Sequence, residues 1–239
     1  MTLKRAPIEK QTVIRIDESD FTGELVIPPD STSLVMFCHG SGSSRFSPRN
    51  RQVAKHLNSH NIGTFLFDLL TPAEDQSIKN RFNINMVSDR LVRMTRELIA
   101  QHQLEDFCIG YFGTGTGAAA ALRASVELPD RIQAVVCRGG RPDLVVDILH
   151  EVQAPTLFIV GEMDQEVIEL NDMARKSLRC EARLEIVNSA THLFEEKGTL
   201  DRVSWLASGW FKKHLFHPEN QSMIQEDVLI PELMEEGIY

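Results

Sequence analysis

Phe107-Cys108-Ile109-Gly110-Tyr111-Phe112, then Gly113-Thr114-Gly115-Thr116-Gly117, then Ala118-Ala119-Ala120-Ala121, is the stretch that decides the fold. A short, continuous apolar run is what a strand buried on both faces looks like. Glycines spaced two apart let the chain reverse where a side chain would clash or strain. The small-residue run from Ala118 to Val126 predicts a helix able to lie close on its neighbours. Strand, tight turn and helix in that order form the repeating unit of a parallel sheet.

The same alternation extends in both directions. Leu34–Cys38, Thr64–Asp68, Ile132–Cys137, Thr156–Val160 and Leu184–Val187 are further short runs rich in Val, Ile, Phe and Leu. They are predicted strands of one sheet. Ser47 followed by Pro48 is an N-cap with proline at the first helical position, predicting a helix to Ser59. Val87–His102 carries an apolar stripe through Val87, Leu91, Met94, Leu98 and Ile99, and Val167–Leu178 and Leu200–Leu215 complete the predicted helices. Gln11–Asp17 and Phe21–Ile27 alternate apolar and polar residues, which predicts an antiparallel pair turning near Asp17–Asp20. The expected fold is α/β: a mainly parallel sheet with an antiparallel start, helices on both faces and little or no lid. Residues 1–216 are expected to form one domain. The remainder, 217–239, holds six acids, two prolines and no Lys or Arg. It reads either as an acidic arm awaiting a partner or as a segment docking through Val228, Leu229, Ile230 and Leu233.

Composition narrows the function classes. The 239 residues carry a formal charge of -9, which repels phosphate backbones and argues against nucleic-acid binding. No apolar run is long enough to span a membrane, and Met1–Lys10 lacks the apolar core of a secretory signal, so the cytoplasm is the expected location. The four cysteines form no C-x-x-C pair. Cys38, Cys108 and Cys137 lie in apolar runs and read as buried reduced thiols. No metal and no cofactor is expected.

Ligands of a parallel sheet bind beyond the C-terminal ends of its strands. Four such ends carry chemistry: His39-Gly40-Ser41-Gly42-Ser43-Ser44, Gly113–Gly117, Gly161-Glu162-Met163-Asp164, and Asn188-Ser189-Ala190-Thr191-His192. This order matches the α/β-hydrolase plan, in which a sharp turn presents a nucleophile, an acid follows a later strand and a His follows the last. Asp164 then orients His192, which acts as base. The expected anion hole is the Ser41 N–H with that of Thr116, and His39 and Gly40 line the ligand. Taken singly, Asp164 also reads as a helix N-cap and His192 as a polar surface residue.

The chain resembles the dienelactone-hydrolase-like branch of the α/β hydrolases, in particular small members found alone or fused to a phosphoribosyltransferase. The resemblance rests on the run from His39 to Asn50, Asp68-Leu69-Leu70-Thr71-Pro72, Gly110-Tyr111-Phe112-Gly113, Arg138-Gly139-Gly140-Arg141-Pro142-Asp143 and Thr191-His192-Leu193-Phe194-Glu195-Glu196. It covers roughly residues 10 to 215 and implies an ester or lactone hydrolase. One position departs from it. Where the family reads Gly-Ala-Ser-Thr-Gly, this chain has glycine at 115, so the resemblance implies a vacant nucleophile position and an impaired enzyme or pseudoenzyme. A glycine introduced deliberately to trap substrate would read identically. Thr114 and Thr116 flank the apex and are expected to point away from it.

Arg138 and Arg141 follow a strand end, and Arg45 and Arg49 are expected at the same mouth. Together they suggest a clamp for a small anionic ligand, against the alternative that Arg141 pairs with Asp143 or Asp147 and Arg138 with Asp164 or a helix end. A non-catalytic binding or regulatory protein that keeps the pocket is one rival reading. Another is NADP-type dinucleotide binding, because Gly113–Ala118 also fits G-x-G-x-x-A and the next strand ends at Arg138. Against the latter, such fingerprints open their domains, whereas here several strands come first.

Overall fold

The computed structural model describes residues 6–215; the segment read as an acidic arm lies outside them. Eight strands form one sheet in the order β1-β2-β4-β3-β5-β6-β7-β8. They are β1 (Ile8–Ile16), β2 (Ser19–Ile27), β3 (Ser33–Cys38), β4 (Gly63–Phe67), β5 (Cys108–Thr114), β6 (Ile132–Arg138), β7 (Thr156–Gly161) and β8 (Ala182–Val187). β1 and β2 form an antiparallel hairpin, and β2 joins β4 antiparallel; every later pairing is parallel. The helices are α1 (Pro48–Ser59), α2 (Ile78–Arg81), α3 (Ile84–His102), α4 (Thr116–Glu127), α5 (Gln165–Ser177) and α6 (Thr199–His214).

Strand alternation divides the core into two. Leu34, Met36 and Cys38 of β3 face one side, with Leu91 and Leu98 of α3 and Ala118–Ala121 of α4. Val35 and Phe37 face the other, with Val53 and Leu57 of α1 and Trp210 and Phe211 of α6. The expected doubly covered parallel sheet is therefore present. β3, β4, β5 and β7 are buried along their whole length. β8 is not, because it is the outermost strand: Arg183 and Ile186 are exposed and only Val187 is fully buried.

Most predicted elements differ from the observed ones only at their ends. α1 begins after Ser47, whose side chain accepts from the Asn50 N–H, as the Ser-Pro pair implies. α3 starts at Ile84 rather than Val87, because Asn83 caps it by accepting from the Met86 N–H. The connection from 68 to 83 holds a helical turn, Glu74–Gln76, and the four-residue α2. Thr71 and Glu74 build a reciprocal capping box there. The Thr71 N–H donates to Glu74 Oε2 at 2.8 Å and the Glu74 N–H donates to Thr71 Oγ1 at 3.3 Å.

Candidate functional site

β5, β6 and β7 are adjacent and parallel, so the segments after them meet at one edge of the sheet. The turn from β5 into α4 has Gly115 at its apex, with φ 53° and ψ -125°. This is a conformation few side chains adopt, and it is the strained strand-to-helix turn of a nucleophile elbow. The three glycines of the turn are there for different reasons. A Cβ on Gly113 would lie 2.5 Å from Ala118 Cα, and one on Gly117 would lie 2.1 Å from the Cys38 carbonyl oxygen. Backbone leaves neither position room for a side chain. A Cβ on Gly115 would meet only Gly40 Cα, at 3.7 Å, which is an ordinary contact. Packing therefore compels glycine at 113 and 117, and at 115 it does not.

Asp164 and His192, expected as acid and base, lie side by side. Asp164 occupies the N-cap position of α5, yet its side chain caps nothing. Its Oδ2 instead lies 2.5 Å from His192 Nδ1. A carboxylate only accepts, so Nδ1 carries the proton and donates, leaving Nε2 as the basic nitrogen. Asp164 is mostly covered while half of the His192 side chain is exposed, so nothing roofs the ring. Gly139, at φ 52°, lets the ring lie against the backbone, since a Cβ there would be 3.3 Å from His192 Cε1. Gly115 is hydrogen-bonded to the neighbours of this glycine: its N–H donates to the Arg138 carbonyl at 3.4 Å and its carbonyl accepts from the Arg141 N–H at 3.0 Å.

The loop after β3 faces the same turn. The Gly40 N–H donates to Thr114 Oγ1 at 3.2 Å and the Ser41 N–H donates to Thr116 Oγ1 at 2.9 Å. Both threonine hydroxyls thus hold the loop. The Ser41 N–H, expected as an anion donor, is satisfied by the neighbouring hydroxyl. A cleft of about 20 Å³ opens here, with His39, Ser41 and Thr116 on one side and Leu70, Asp75 and Arg81 on the other. A larger depression, about 460 Å³, lies at the opposite end of the strands among Val152, Gln153 and Cys180, away from these groups.

Asp68, the residue after β4, carries no motif that marks it as a site residue in the sequence, yet it holds the loop after β3. It accepts from the Arg45 N–H at 2.7 Å and from the Arg45 guanidinium, and its Oδ1 lies 3.3 Å from His39 Nε2. Burial pushes this carboxyl upward in pKa, but His39 and the two Arg45 donors outweigh it and hold the group below its ordinary value. Asp68 therefore fixes the Arg45 end of the loop that carries Gly40 and Ser41 and lies beside His39 at its start. Thr71 and Glu74 were also missed, although T-x-x-E is readable as a capping box. Glu74 accepts two bonds from Arg90, at 2.7 and 2.8 Å, and so anchors the far wall of the cleft.

The arginines divide. Arg141 is paired with Asp143 through bonds of 2.8 and 2.7 Å. Arg49 bonds Glu195 at 2.9 Å. Arg138 pairs with neither Asp164 nor a helix end: it is 8% exposed, and its Nη1 has no hydrogen-bond partner among the described residues. Burial, then the charge of Arg49, lower its pKa to about 10. Cys38 and Cys137 are buried, and burial pushes both thiols far above their ordinary value, so they serve as small apolar side chains. Among the described residues no group of three or more His, Cys, Asp or Glu is placed to hold a metal ion, and no helix is long and apolar enough to cross a membrane.

Residues 33–171 match the α/β hydrolase fold family. A solved structure described as dienelactone hydrolase from Anabaena variabilis superposes with a TM-score of 0.84 at 45% identity, covering 88% of this chain and 99% of that one. The esterase Est1E from Butyrivibrio proteoclasticus, at 15% identity and a TM-score of 0.71 over 85% of this chain and 98% of its own, shares the fold. A curated protein of Mycobacterium tuberculosis named "Putative phosphoribosyl transferase" is 48% identical over 196 residues, which is 82% of this chain. This chain spans 44% of the length of that relative. The elbow turn, the Asp–His pair after the later strands and these likenesses agree: the chain belongs to the α/β hydrolase fold family, on its dienelactone-hydrolase-like branch.

Proposed function

We propose that this chain carries the site of an ester or lactone hydrolase in which Gly115 stands at the nucleophile position, so that covalent acyl transfer is lost while the acid–base pair persists. The observation that supports this most directly is the coexistence of two features. His192 is held by Asp164 at 2.5 Å with Nε2 left as a base, and the elbow apex keeps its strained backbone without a side chain. Removing such a nucleophile costs on the order of a million-fold in turnover in a well-studied serine protease. A base acting on water recovers only roughly 10²–10⁴. The resting molecule is then chiefly a binder of a small ester-like ligand, with the Thr116 N–H and the walls at His39 and Gly40 in contact with it, and the Ser41 N–H available only if Thr116 Oγ1 releases it. Four free cysteines accord with the reducing cytoplasm.

Gly115→Ser tests the proposal. The new Oγ would attack the ester carbonyl, His192 Nε2 would take its proton, and the same nitrogen would return that proton to the departing alkoxide. Turnover of p-nitrophenyl acetate and small lactones should rise at least about a thousandfold over the parent and vanish again on adding His192→Ala. No gain in a folded variant sinks the proposal. The reading as a binding or regulatory protein is favoured by the self-satisfied loop N–H groups. It is separated by the same variant, because it predicts ligand-dependent thermal stabilisation with no turnover even when serine is restored.

A further inference from the structure

We propose that Arg138 and Arg49 form a small-anion site enclosed behind the loop that carries His192, separate from the ligand cleft. Arg138 is the last residue of β6, and its side chain follows Ala134 and Val136 to the α1/α6 face of the sheet. There its guanidinium lies 5.9 Å from the centre of the Phe194 ring. Arg49, at the start of α1, reaches the next residue, Glu195. Both cations thus abut two consecutive residues of one loop, and Arg49 is close enough for its charge to depress the pKa of Arg138.

Charge balance is what makes the pair informative. A buried cation is ordinarily matched by a carboxylate or fully hydrogen-bonded. Among the described residues Arg138, 8% exposed, has no paired carboxylate and no hydrogen bond at Nη1, and Arg49 Nε is likewise covered and without a partner. Glu195 serves Arg49 from the exposed side, with 64% of its side chain in solvent, and does not reach Arg138. Two neighbouring guanidinium groups, each with a covered nitrogen that no described residue partners, and one partial counter-charge suit a single small anion. Because these two nitrogens are covered, the ligand is a halide or a comparably small inorganic anion. Because His192 and Phe194 share the loop, filling the site would brace the base from behind.

The test measures thermal unfolding at constant ionic strength while chloride or bromide replaces gluconate. The parent protein should gain about 2–4 °C with saturating behaviour, and Arg138→Met should lose the dependence. Arg49→Gln, a more exposed position, covers the case in which Arg138→Met does not fold; it should weaken the halide response at least tenfold in midpoint. Arg93→Met, which removes an exposed arginine paired with Asp17, should keep the response. In a bromide-soaked crystal, an anomalous peak should lie within hydrogen-bonding range of Arg138. A parent protein indifferent to halide, an equal response in Arg138→Met or Arg49→Gln, or a crystal without that peak would overturn the proposal. None of these readouts uses turnover, so the hydrolase reading stands or falls separately.

Discussion

Gly115 shows how one residue can separate geometry from chemistry. Its φ of 53° favours glycine, while the space around its missing Cβ holds only Gly40 Cα at 3.7 Å. Restoring a serine therefore meets strain and no collision. Gly115→Ser should lower unfolding free energy by about 1–2 kcal/mol, measured by urea titration, even as it gains turnover. A loss much above that range would mean the apex is packed more tightly than the backbone indicates. The hydroxyls of the threonines beside it each accept from an N–H of the facing loop. At this scale the sequence was informative about identity and order, and Asp164 and His192 could be paired from their places after later strands. It was silent on hydrogen bonding. Neither the occupied Ser41 N–H nor the isolation of Arg138 leaves a trace in a one-dimensional pattern, since both depend on which residues lie opposite.

Among the elements, the β5–α4 unit is the most constrained. α4 reaches the sheet through Ala118–Ala121, all fully buried, and its first turn presses on the end of β3. Gly117→Ala would drive a methyl group into the Cys38 carbonyl, and neither backbone can yield without shifting the helix. Its expected cost is about 3 kcal/mol or more, read as a drop in melting temperature; a near-neutral outcome would show that α4 slides freely on the sheet. The outer glycines of the G-x-G-x-G run are thus legible as packing, while the central one is legible only as an exception. Helix starts were readable where a cap was spelled out, as at Ser47-Pro48, and were misplaced where the cap was less evident, as at Asn83. The short helical pieces between 68 and 83 carry too little periodicity to read, yet the Thr71–Glu74 box that organises them was plain in the letters.

Across the whole molecule, carboxylates tied to arginines set the acid limit. Hydrogen bonds from Arg90 hold the Glu74 carboxyl below its ordinary value of 4.5, offsetting the upward push of burial. A group with a depressed folded-state pKa stabilises fully above the unfolded value, and that contribution is lost as pH falls through the folded one. The urea midpoint of the parent should therefore exceed that of Glu74→Gln by a constant amount above about pH 5, and the gap should shrink as the pH falls below the ordinary carboxyl value and through the depressed one. A gap that does not shrink at all on acidification would assign the effect to shape instead of charge. The global architecture was the most legible level, because alternation of buried strands and striped helices repeats along the chain. The outermost position of β8 was less plain, since Leu184, Ile186 and Val187 resemble the central strands and Glu185 alone interrupts them. An open sheet of eight strands also ends in two rows of backbone groups that invite another chain to pair with them. Here β1 turns Glu9, Lys10 and Arg15 outward and β8 sets Arg183 and Glu185 among its apolar residues. A strand adding at either border of the described sheet would have to bury or displace those charges, which opposes growth by edge-to-edge stacking.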